Sequence, residues 1–536
     1  MSTPSFICRK AIDQFKKQHP ELESIPPGVD YPPRPELGDL ALALPMRGAD
    51  KVGTSPRELA NKLASFLEEN LEEIEDVSVE GPGFVNITFR DQFFISKIEE
   101  KLEDGELDYL ETSRPQDILI EFVSANPTGP LHVGHGRGAI YGDVLARLLE
   151  LRGHDVQREY YVNDAGEQIR RLGESIKLRA RQDEGEEVEF SEEHYRGDYL
   201  VDIVRENNLS SDQPVEELAE KGREVILERI FDHLDKCKIK FDSRVSEREI
   251  TGPDEIDELV EDLREAGAVY EEEGAIFLAS SRLGDDKDRV LIRADGRPTY
   301  FANDLLYHRQ KFSRDFERLI DIWGHDHHGY QQRLQNGLKF LGLPAENLEI
   351  ELYQLVDLYR GGEPVSMSTR GGDFVPLSEL VEEVGADAVR FNFLTKNHNR
   401  PLDFDIKVAT SCSEDNPVYY VQYAHTRVAG ILRKAPPEIT EAEPAGGLSP
   451  EGHKLLLRAL EFPEVVREAT ESRQPHQIPH ELQKLASLFH NYYTKNRVID
   501  PDRPRRSARR LAVVSFLKLV LKSGLNILGV TAPERM

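Results

Sequence analysis

The sequence predicts an α/β protein in three parts: a small N-terminal α/β domain (1–112), a central domain on a doubly wound parallel sheet (113–405) and a C-terminal all-α helical bundle (406–536). Three observations predict this class. The chain has 536 residues, more than one hydrophobic core usually supports. A β-α-β pattern begins at residue 117, and only helical patterns follow residue 405. We therefore expect a parallel sheet accompanied by a smaller α/β domain and a bundle.

The β-α-β unit comes from consecutive segments. DILIEFVS (117–124) is a continuous apolar strand, ANPTGP makes a turn, and GHGRGAIYGDVLARLLELRG is an amphipathic helix that Gly153 ends. The apolar stripe of this helix consists of Ile140, Val144, Leu145, Leu148 and Leu149. VQREYYVND forms the next strand, so we expect two parallel strands with a ligand crevice at their C-terminal ends. The charged helical stretches from about 165 to 265 indicate an insertion.

The flanking parts have simpler patterns. In the N-terminal part, IDQFKKQ and SPRELANKLASFLEENL are helical, and VSVEGPGFVNITF predicts two strands joined by a Gly-Pro-Gly turn. TSRPQD is a plausible linker to the central domain. The C-terminal part contains four helical segments, VYYVQYAHTRVAGILRKA, EGHKLLLRALEF, HELQKLASLFHNYYTKNRV and SARRLAVVSFLKLVLKSGLNIL. These segments predict a helical bundle.

Composition excludes several classes of protein. With 39% hydrophobic and 31% charged residues, the chain has the composition of an ordinary soluble globular protein. It contains no apolar run of eighteen residues and no apolar N-terminal signal, so we expect neither a membrane span nor secretion. Its three scattered cysteines predict neither a disulfide framework nor a thiolate zinc cluster, which fits a reducing cytoplasm.

The charge distribution remains compatible with a nucleic-acid partner. The formal net charge is −30, which by itself opposes phosphate binding. Net charge, however, does not say where the charges lie. The last segment is basic, with Arg503, Arg505, Arg506, Arg509, Arg510, Lys518 and Lys522.

The segment EFVSANPTGPLHVGHGRG (121–138) carries the strongest chemical signal. His132 and His135 lie three residues apart where turn becomes helix, so both rings can share one face. A helix N-terminus offers unpaired N–H groups and suits phosphate, and glycines 134, 136 and 138 allow a nucleotide to approach the backbone. The imidazoles could then donate hydrogen bonds to an ATP phosphate. The alternatives are a capped surface helix and a two-histidine metal site.

The motif resembles a known family. ANPTGPLHVGH, which comprises Ala125, Asn126, Pro127, Thr128, Gly129, Pro130, Leu131, His132, Val133, Gly134 and His135, resembles the HIGH signature of class I aminoacyl-tRNA synthetases. With EFVS before it, the segment is similar to the arginine-specific version. Further segments resemble the arginyl-tRNA synthetase family in order: PPRPELGDLALALP, FDSRVSE, TYFANDLLYH, WGHDHHGY, SMSTRGGDFVPLSELVEEVGADAVRF, NPVYYVQYAHTR and LGVTAPERM.

The resemblance implies a fold, a reaction and partners. It implies a class I Rossmann-like catalytic domain, an N-terminal domain that contacts the tRNA elbow and a helical anticodon-binding domain. The reaction would activate L-arginine with ATP and Mg²⁺ to arginyl-adenylate, then transfer arginine to the 3′-terminal adenosine of tRNA(Arg). No covalent enzyme nucleophile and no structural metal are expected. We expect a cytoplasmic monomer without a membrane partner.

The resemblance also assigns residues to the two substrates. On the ATP side it implies His132, His135 and Arg370 as catalytic residues, and ATP contacts from Gly134, Gly324, Asp326, Met367 and Ser368. On the arginine side it implies Glu121, Ser124 and Asn126 near the amino-acid backbone, with Glu247, Tyr300 and Asp304 around the side chain. Carboxylates of this kind match the guanidinium fork. Without the family, Asp304 would be interpreted as a solvated acid and Tyr300 as a core aromatic residue.

Three segments need separate interpretation. PVSMSTRGGDF (364–374) corresponds to the family's KMSKS loop, but Ser366 and Thr369 replace the two lysines and leave Arg370 as the only cation; a surface loop is the alternative. His325, His327 and His328 suggest zinc, yet no further ligand cluster completes a site. In the bundle, the resemblance places Tyr423 and Met536 near the anticodon, while Tyr419, Tyr420, Phe489, Tyr492 and Tyr493 could stack on bases.

Three other functions share parts of these patterns. A synthetase for another amino acid should lack the acidic pocket of Glu247, Tyr300 and Asp304. A small nucleotidyltransferase would not need the C-terminal bundle, and a non-catalytic tRNA-binding relative would typically have lost His132 or His135.

Overall fold

The computed structural model describes residues 3–109, 111–327, 329–365 and 375–536, without the side chain of Pro35. The chain forms two compact units. One consists of Met1–Leu110 together with Ser413–Met536, and the other of Glu111–Cys412. The units divide close to the expected boundaries at 112/113 and 405/406, but the two terminal segments belong to one unit. The division into three functional domains stays a prediction.

The N-terminal segment is a small α/β layer. Its elements are α1 (Pro4–Gln18), β1 (Val29–Asp30), β2 (Leu40–Leu42), α2 (Leu44–Val52), α3 (Pro56–Asn70), β3 (Ile74–Glu80), β4 (Phe84–Phe89) and α4 (Asp91–Asp104). The strands form an antiparallel sheet in the order β1-β2-β4-β3. The predicted hairpin around Gly81-Pro82-Gly83 is confirmed as β3 and β4.

The unit of residues 111–412 contains a parallel sheet. Its strands are β5 (Asp117–Glu121), β6 (Asp155–Val162), β7 (Ser243–Ser246), β8 (Val269–Glu272), β9 (Ala275–Leu278), β10 (Arg289–Ile292), β11 (Arg318–Gly324), β12 (Leu348–Tyr353), β13 (Val356–Arg360), β14 (Glu363–Pro364) and β15 (Leu402–Asp405). Five of them form the central sheet, in the order β12-β11-β5-β6-β7 with every pair parallel. The predicted doubly wound parallel sheet is confirmed.

The same unit contains helices on and around this sheet. They are α5 (Val133–Leu151), α6 (Glu167–Asp183), α7 (Tyr199–Glu206), α8 (Val215–Lys236), α9 (Glu247–Ile250), α10 (Pro253–Glu265), α11 (Tyr300–Phe312), α12 (Gln331–Phe340), α13 (Leu377–Val384), α14 (Ala386–Phe393) and α15 (Ile406–Ala409). A buried apolar cluster packs α10, α11 and α12 against the β5, β11 and β12 strands, and it includes Leu119, Leu305 and Leu319.

Three features of this unit differ in detail from the sequence pattern. The stretch 165–265 is not wholly a helical insertion, because β7 lies within it and forms the sheet edge beside β6. Strand β5 ends at Glu121 instead of residue 124, since Val123 and Ser124 have φ values of 70° and 41° that leave the extended conformation. The predicted apolar stripe of helix α5 is buried, but burial extends well beyond it, and even Arg137 is 1% exposed.

The C-terminal segment is all-helical, as predicted. Its helices are α16 (Pro417–Lys434), α17 (Pro437–Thr440), α18 (Pro450–Leu460), α19 (Phe462–Glu471), α20 (Gln477–Lys495) and α21 (Pro504–Ile527). The four predicted segments are present as α16, α18, α20 and α21. The prediction missed α19, which follows α18 directly, so its apolar residues continued the preceding pattern.

The two terminal segments pack on each other through polar contacts. His453 of α18 bonds Asp91 through Nδ1 and Asp39 through Nε2, both at 2.9 Å. Glu461 accepts a hydrogen bond from the Ser5 N–H at 2.7 Å. Because two carboxylates accept from one ring, the imidazole of His453 must carry both protons. Within the described ranges, no helix is long and apolar enough to cross a membrane.

Candidate active site

The candidate site lies where the five parallel strands end. Glu121 ends β5, Gly324 ends β11, Glu247 directly follows β7 and Asp164 follows β6 by two residues. From β5 the chain continues to β6 and β7 on one side of the sheet and later to β11 and β12 on the other. A parallel sheet binds ligands at such a switch point, outside the carboxyl ends of its strands.

His132 and His135 form a reciprocal cap at the start of α5. His132 Nδ1 accepts from the His135 N–H, and His135 Nδ1 accepts from the His132 N–H, both at 3.3 Å. Their rings stack with centroids 3.7 Å apart. The structure therefore brings the predicted pair together. The pair caps α5, but this helix is largely buried and is not the capped surface helix of the alternative interpretation.

The charge state of the pair follows from this geometry. Burial lowers the pKa of His132 despite the nearby carboxylate of Asp326, and burial beside His132 lowers the pKa of His135 to about 3. Both imidazoles are therefore neutral at pH 7. Since each Nδ1 accepts a hydrogen bond, the ring proton resides on Nε2. Each ring thus has an N–H donor that needs no further protonation.

The glycines of the motif serve close packing. A Cβ on Gly134 would lie 2.9 Å from the His132 ring. On Gly136 it would meet Leu377 at 2.6 Å, and on Gly138 it would meet the Tyr353 ring at 2.5 Å. The expectation that residues 136 and 138 admit a nucleotide was wrong, because protein side chains occupy that space. Gly134 stays a predicted ATP contact.

A buried charge network lies behind the turn. Lys311 is fully buried and contacts the carboxylates of Glu121 and Asp321. Asp321 also bonds His308 Nε2 at 2.7 Å. Glu121 in turn accepts from Ser124 Oγ at 2.7 Å. Sequence reasoning missed Lys311, Asp321 and His308, although a lone acid inside the apolar strand RLIDIWG was an available signal.

The remaining turn residues are held by neighbouring elements. Ser124 Oγ also accepts from the Tyr161 N–H at 3.1 Å. Tyr160 OH donates to the Ala125 carbonyl at 2.9 Å, and Tyr199 OH donates to the Thr128 carbonyl at 2.6 Å. The side chain of Asn126 is exposed between these anchors. The turn therefore presents Ser124 and Asn126 from a fixed backbone.

The predicted arginine pocket is rich in carboxylates. Glu247 is 2% exposed, and its pKa is raised by burial and by the charges of Asp304 and Asp164. Burial also raises the pKa of Asp304, although Tyr330 OH donates to that carboxylate. Burial, followed by the charges of Glu247 and Asp304, also raises the pKa of Tyr161. The pocket is suited to a cation.

Two residues of this pocket differ from expectation. Tyr300 shares a helical face with Asp304, but it is 58% exposed at the first position of α11. Asp164, which sequence reasoning missed, is 1% exposed and bonds Ser246 Oγ at 2.8 Å and Arg223 at 3.1 Å. Asp164 lies in the segment VND after β6, and this single acidic residue is not part of a recognisable motif.

The end of β11 carries the predicted ribose contacts. A Cβ on Gly324 would lie 2.5 Å from Asp326 Oδ1, so glycine permits the acid to fold back. Asp326 and His327 are exposed, and no group of three metal-ligating side chains occurs in the described parts of the chain. His328 and the loop residues Ser366, Met367, Ser368, Thr369 and Arg370 lie outside the described residues. Leu377, just beyond that loop, donates its N–H to the Leu131 carbonyl at 2.8 Å.

In the other unit, α16 and α20 present an aromatic surface. Tyr423 stacks between Tyr419 at 6.0 Å and His490 at 5.9 Å. The Arg427 guanidinium lies 4.6 Å from the Tyr493 ring and donates to Tyr423 OH at 2.8 Å. Two of the other candidate aromatic residues, Phe489 and Tyr492, belong to the core, whereas the terminal residue Met536 is 58% exposed. Aromatic rings beside a cation are suited to stacking on unpaired nucleic-acid bases.

Comparisons with known proteins agree with this geometry. Family models match in order along the chain: the arginyl tRNA synthetase N-terminal domain at 7–89, the catalytic domain of class I tRNA synthetases (R) at 97–428 and the DALR anticodon binding domain at 421–536. An arginine–tRNA ligase of Desulfovibrio desulfuricans is 43% identical, over 95% of each chain.

Solved structures agree with these sequence comparisons. One described as an arginyl tRNA synthetase of Campylobacter jejuni is 39% identical with a TM-score of 0.78, and covers 84% of this chain and 100% of its own. The Thermus thermophilus arginyl-tRNA synthetase shares the fold, with a TM-score of 0.77 at 23% identity over 98% of this chain and 99% of its own. The class I catalytic match spans more than half of the chain, and the relatives align over nearly all of it. The chain belongs to the arginyl-tRNA synthetase family of class I aminoacyl-tRNA synthetases.

Proposed function

We propose that this chain is an arginine–tRNA ligase that uses the strand-end site of residues 111–412 for both steps. The observation that carries the proposal is the pairing of two features at one sheet edge. A neutral, capped histidine pair begins α5, and a buried carboxylate cluster follows β6 and β7. The first suits ATP phosphates and the second suits the arginine side chain.

In the first step, an arginine carboxylate oxygen attacks the ATP α-phosphorus, the bond to the bridging oxygen breaks, and pyrophosphate leaves. ATP enters with Mg²⁺ as its substrate complex. The Nε2–H groups of His132 and His135 donate to phosphate oxygens, where negative charge builds. Because both rings are already neutral and held by the cap, they need no reorganisation during the step.

Arginine recognition is assigned to the acidic pocket. Glu247 and Asp304 contact the guanidinium, with Tyr300 closing the pocket from the start of α11. Glu121, Ser124 and Asn126 lie near the substrate α-amino and carboxylate groups. The bond between Glu121 and Ser124 supports this role, because it orders two of the three side chains together.

The remaining assignments complete the reaction. Gly134, Gly324 and Asp326 contact ATP, joined by Met367, Ser368 and Arg370 of the loop. In the second step the 2′-hydroxyl of the tRNA terminal adenosine attacks the arginyl carbonyl, and AMP leaves.

The remaining proposals concern the contacts with tRNA(Arg), the location of the enzyme in the cell and its oligomeric state. Tyr423 and Met536 contact the anticodon, and residues 1–112 contact the tRNA elbow. The basic residues of α21 support tRNA binding despite the acidic total, since phosphate binding depends on local charge. We place the enzyme in the cytoplasm as a monomer.

Exchange of labelled pyrophosphate into ATP tests the function. We expect exchange that requires both L-arginine and tRNA. Exchange driven by a different amino acid would indicate another synthetase, and exchange without any amino acid would indicate a nucleotidyltransferase. Absence of exchange with all twenty amino acids, in protein that binds tRNA, would indicate a non-catalytic relative.

A further inference from the structure

Two buried oxygens in the carboxylate pocket have no hydrogen-bond partner among the residues that the structure describes. They are Glu247 Oε2 and Asn303 Oδ1. Buried polar atoms in folded proteins are almost always hydrogen-bonded, so each exception needs an explanation. Both atoms are acceptors, which suits a ligand that brings N–H donors.

The two side chains act as one acceptor unit. Asn303 Nδ2 donates to Glu247 Oε1 at 2.6 Å. This bond determines which way the amide points, because a carboxylate accepts from the NH₂ group and repels the carbonyl oxygen. Asn303 Oδ1 therefore faces away from Oε1, and each partner keeps one acceptor that the shared bond does not use.

Asn303 also lies beside the predicted arginine contacts. It precedes Asp304 on α11, and it is one turn from Tyr300. Asp304 accepts a hydrogen bond from Tyr330 OH, so its carboxylate is held within the same pocket. Asn303 is consequently placed to add a neutral acceptor to a pocket that otherwise offers carboxylates.

A neutral acceptor matters for selectivity between cations. Arginine presents five N–H donors on three nitrogens in a planar fork, whereas lysine presents three donors on one nitrogen. Carboxylates attract both cations, so charge alone separates them weakly. Acceptors on several side chains match the spread donors of a guanidinium, and a buried acceptor left open penalises a ligand that cannot reach it.

We propose that Asn303 is a further specificity-determining residue of the arginine site, which holds Glu247 through Nδ2 and offers Oδ1 to a guanidinium N–H. This inference rests on the proposed function, since it requires arginine to occupy the pocket. It extends that function by assigning discrimination against lysine to an uncharged side chain.

The test uses the full chain with Asn303→Leu and Asn303→Asp. Dissociation constants for L-arginine and L-lysine are measured by calorimetry, with ATP KM from arginine-dependent exchange. Asn303→Leu removes both bonds, so we expect arginine to bind at least tenfold more weakly, or about 1.4 kcal/mol. Lysine binding should change less than about threefold, because its three donors lie on a single nitrogen that cannot span the carboxylates and Oδ1 together. Asn303→Asp adds a carboxylate, which should strengthen lysine binding relative to arginine.

The matched control is Gln310→Ala on the exposed face of the same helix, and it should leave both dissociation constants and ATP KM unchanged. An arginine dissociation constant within threefold of the parent in Asn303→Leu would overturn the proposal. Equal weakening of arginine, lysine and ATP would also overturn it, since that pattern indicates a merely structural residue. If the unaltered chain shows no arginine-dependent exchange, the proposed function itself fails; normal exchange with an insensitive Asn303 refutes only this inference.

Discussion

Replacing Gly134 by alanine tests whether the geometry of the histidine pair controls arginine activation. The added Cβ would lie 2.9 Å from His132 Cε1 and 3.0 Å from its Nδ1. An ordinary contact begins near 3.4 Å, so the ring must move by about 0.5 Å, the difference between 3.4 and 2.9 Å. The bond from His135 N–H to His132 Nδ1 is already 3.3 Å long, and this movement would break it.

The size of the effect follows from that displacement. Catalytic side chains must be held within about 0.5 Å of productive geometry, and a 1 Å error can cost ~10²-fold in rate. We therefore expect Gly134→Ala to slow adenylate formation about ten- to one-hundredfold, equivalent to about 1.4–2.7 kcal/mol of transition-state stabilisation. Arginine KM should change little, because its predicted contacts at Glu247 and Asp304 lie on other elements. Single-turnover adenylate formation with saturating tRNA measures the rate.

Gly430→Ala is the matched control for a glycine-to-alanine change inside a helix. Its added Cβ would approach Arg433 Nη2 no closer than 3.8 Å, so the activation rate should stay at the parent value. A Gly134→Ala rate within threefold of the parent would refute the reasoning. So would an equal loss in both variants, because it would show that helix composition and not the histidine contact is responsible.

Three further predictions concern charge, and one concerns RNA. Asp304→Asn should weaken arginine binding by roughly 2–5 kcal/mol, because a desolvated guanidinium loses its charge partner, and this loss should appear as a higher arginine KM. Arginine KM should also rise as pH falls through the raised pKa of Glu247, since the protonated acid no longer attracts a cation. His453→Leu should reduce stability at neutral pH by on the order of 3 kcal/mol, because burial opposes the charge of His453 but its two carboxylate bonds raise the pKa to about 9. Tyr423→Leu should weaken tRNA binding by about 1–3 kcal/mol for a stacked base.

Each of these has a measurement that can contradict it. For Asp304→Asn, ATP KM is the internal reference, and a parallel rise in both KM values would indicate general damage. An arginine KM that is flat from neutral to acid pH would exclude an ionised Glu247 at the substrate. The His453 contribution should be complete below the unfolded histidine pKa and disappear as pH rises through about 9, so a variant equally destabilised above that pH argues against the ion pairs. Filter binding compares the tRNA affinity of Tyr423→Leu with that of the parent, and equal affinities would contradict the Tyr423 prediction.

Motif spacing predicted the histidine site closely because its parts are contiguous. His132 and His135 are three residues apart at a helix start, so the spacing alone implies a shared face, which the stacked rings confirm. The same argument failed for the glycines of the motif. Whether Gly138 borders a ligand or a side chain depends on Tyr353, more than two hundred residues away in sequence.

Short or irregular elements were harder to predict than long periodic ones. Strand β7 has four residues and lies between charged helices, so its pattern was too short to recognise until its pairing with β6 was known. The end of β5 at Glu121 depends on the left-handed backbone of Val123 and Ser124, which no propensity favours for such residues. Tertiary bonds from Tyr160 and Tyr161 hold this turn.

The sequence by itself determined the alternation of strands and helices and the histidine pair, because periodicity and motif spacing act between neighbouring residues. Only the tertiary structure decided which charges are buried together. Lys311 looks like an ordinary solvated lysine on α11, yet the fold encloses it between Glu121 and Asp321 from two adjacent strands. Asn303 becomes a candidate for substrate selection only because Glu247, far away in the chain, folds against it. Burial and pairing are properties of the assembled fold, so local patterns cannot reveal them.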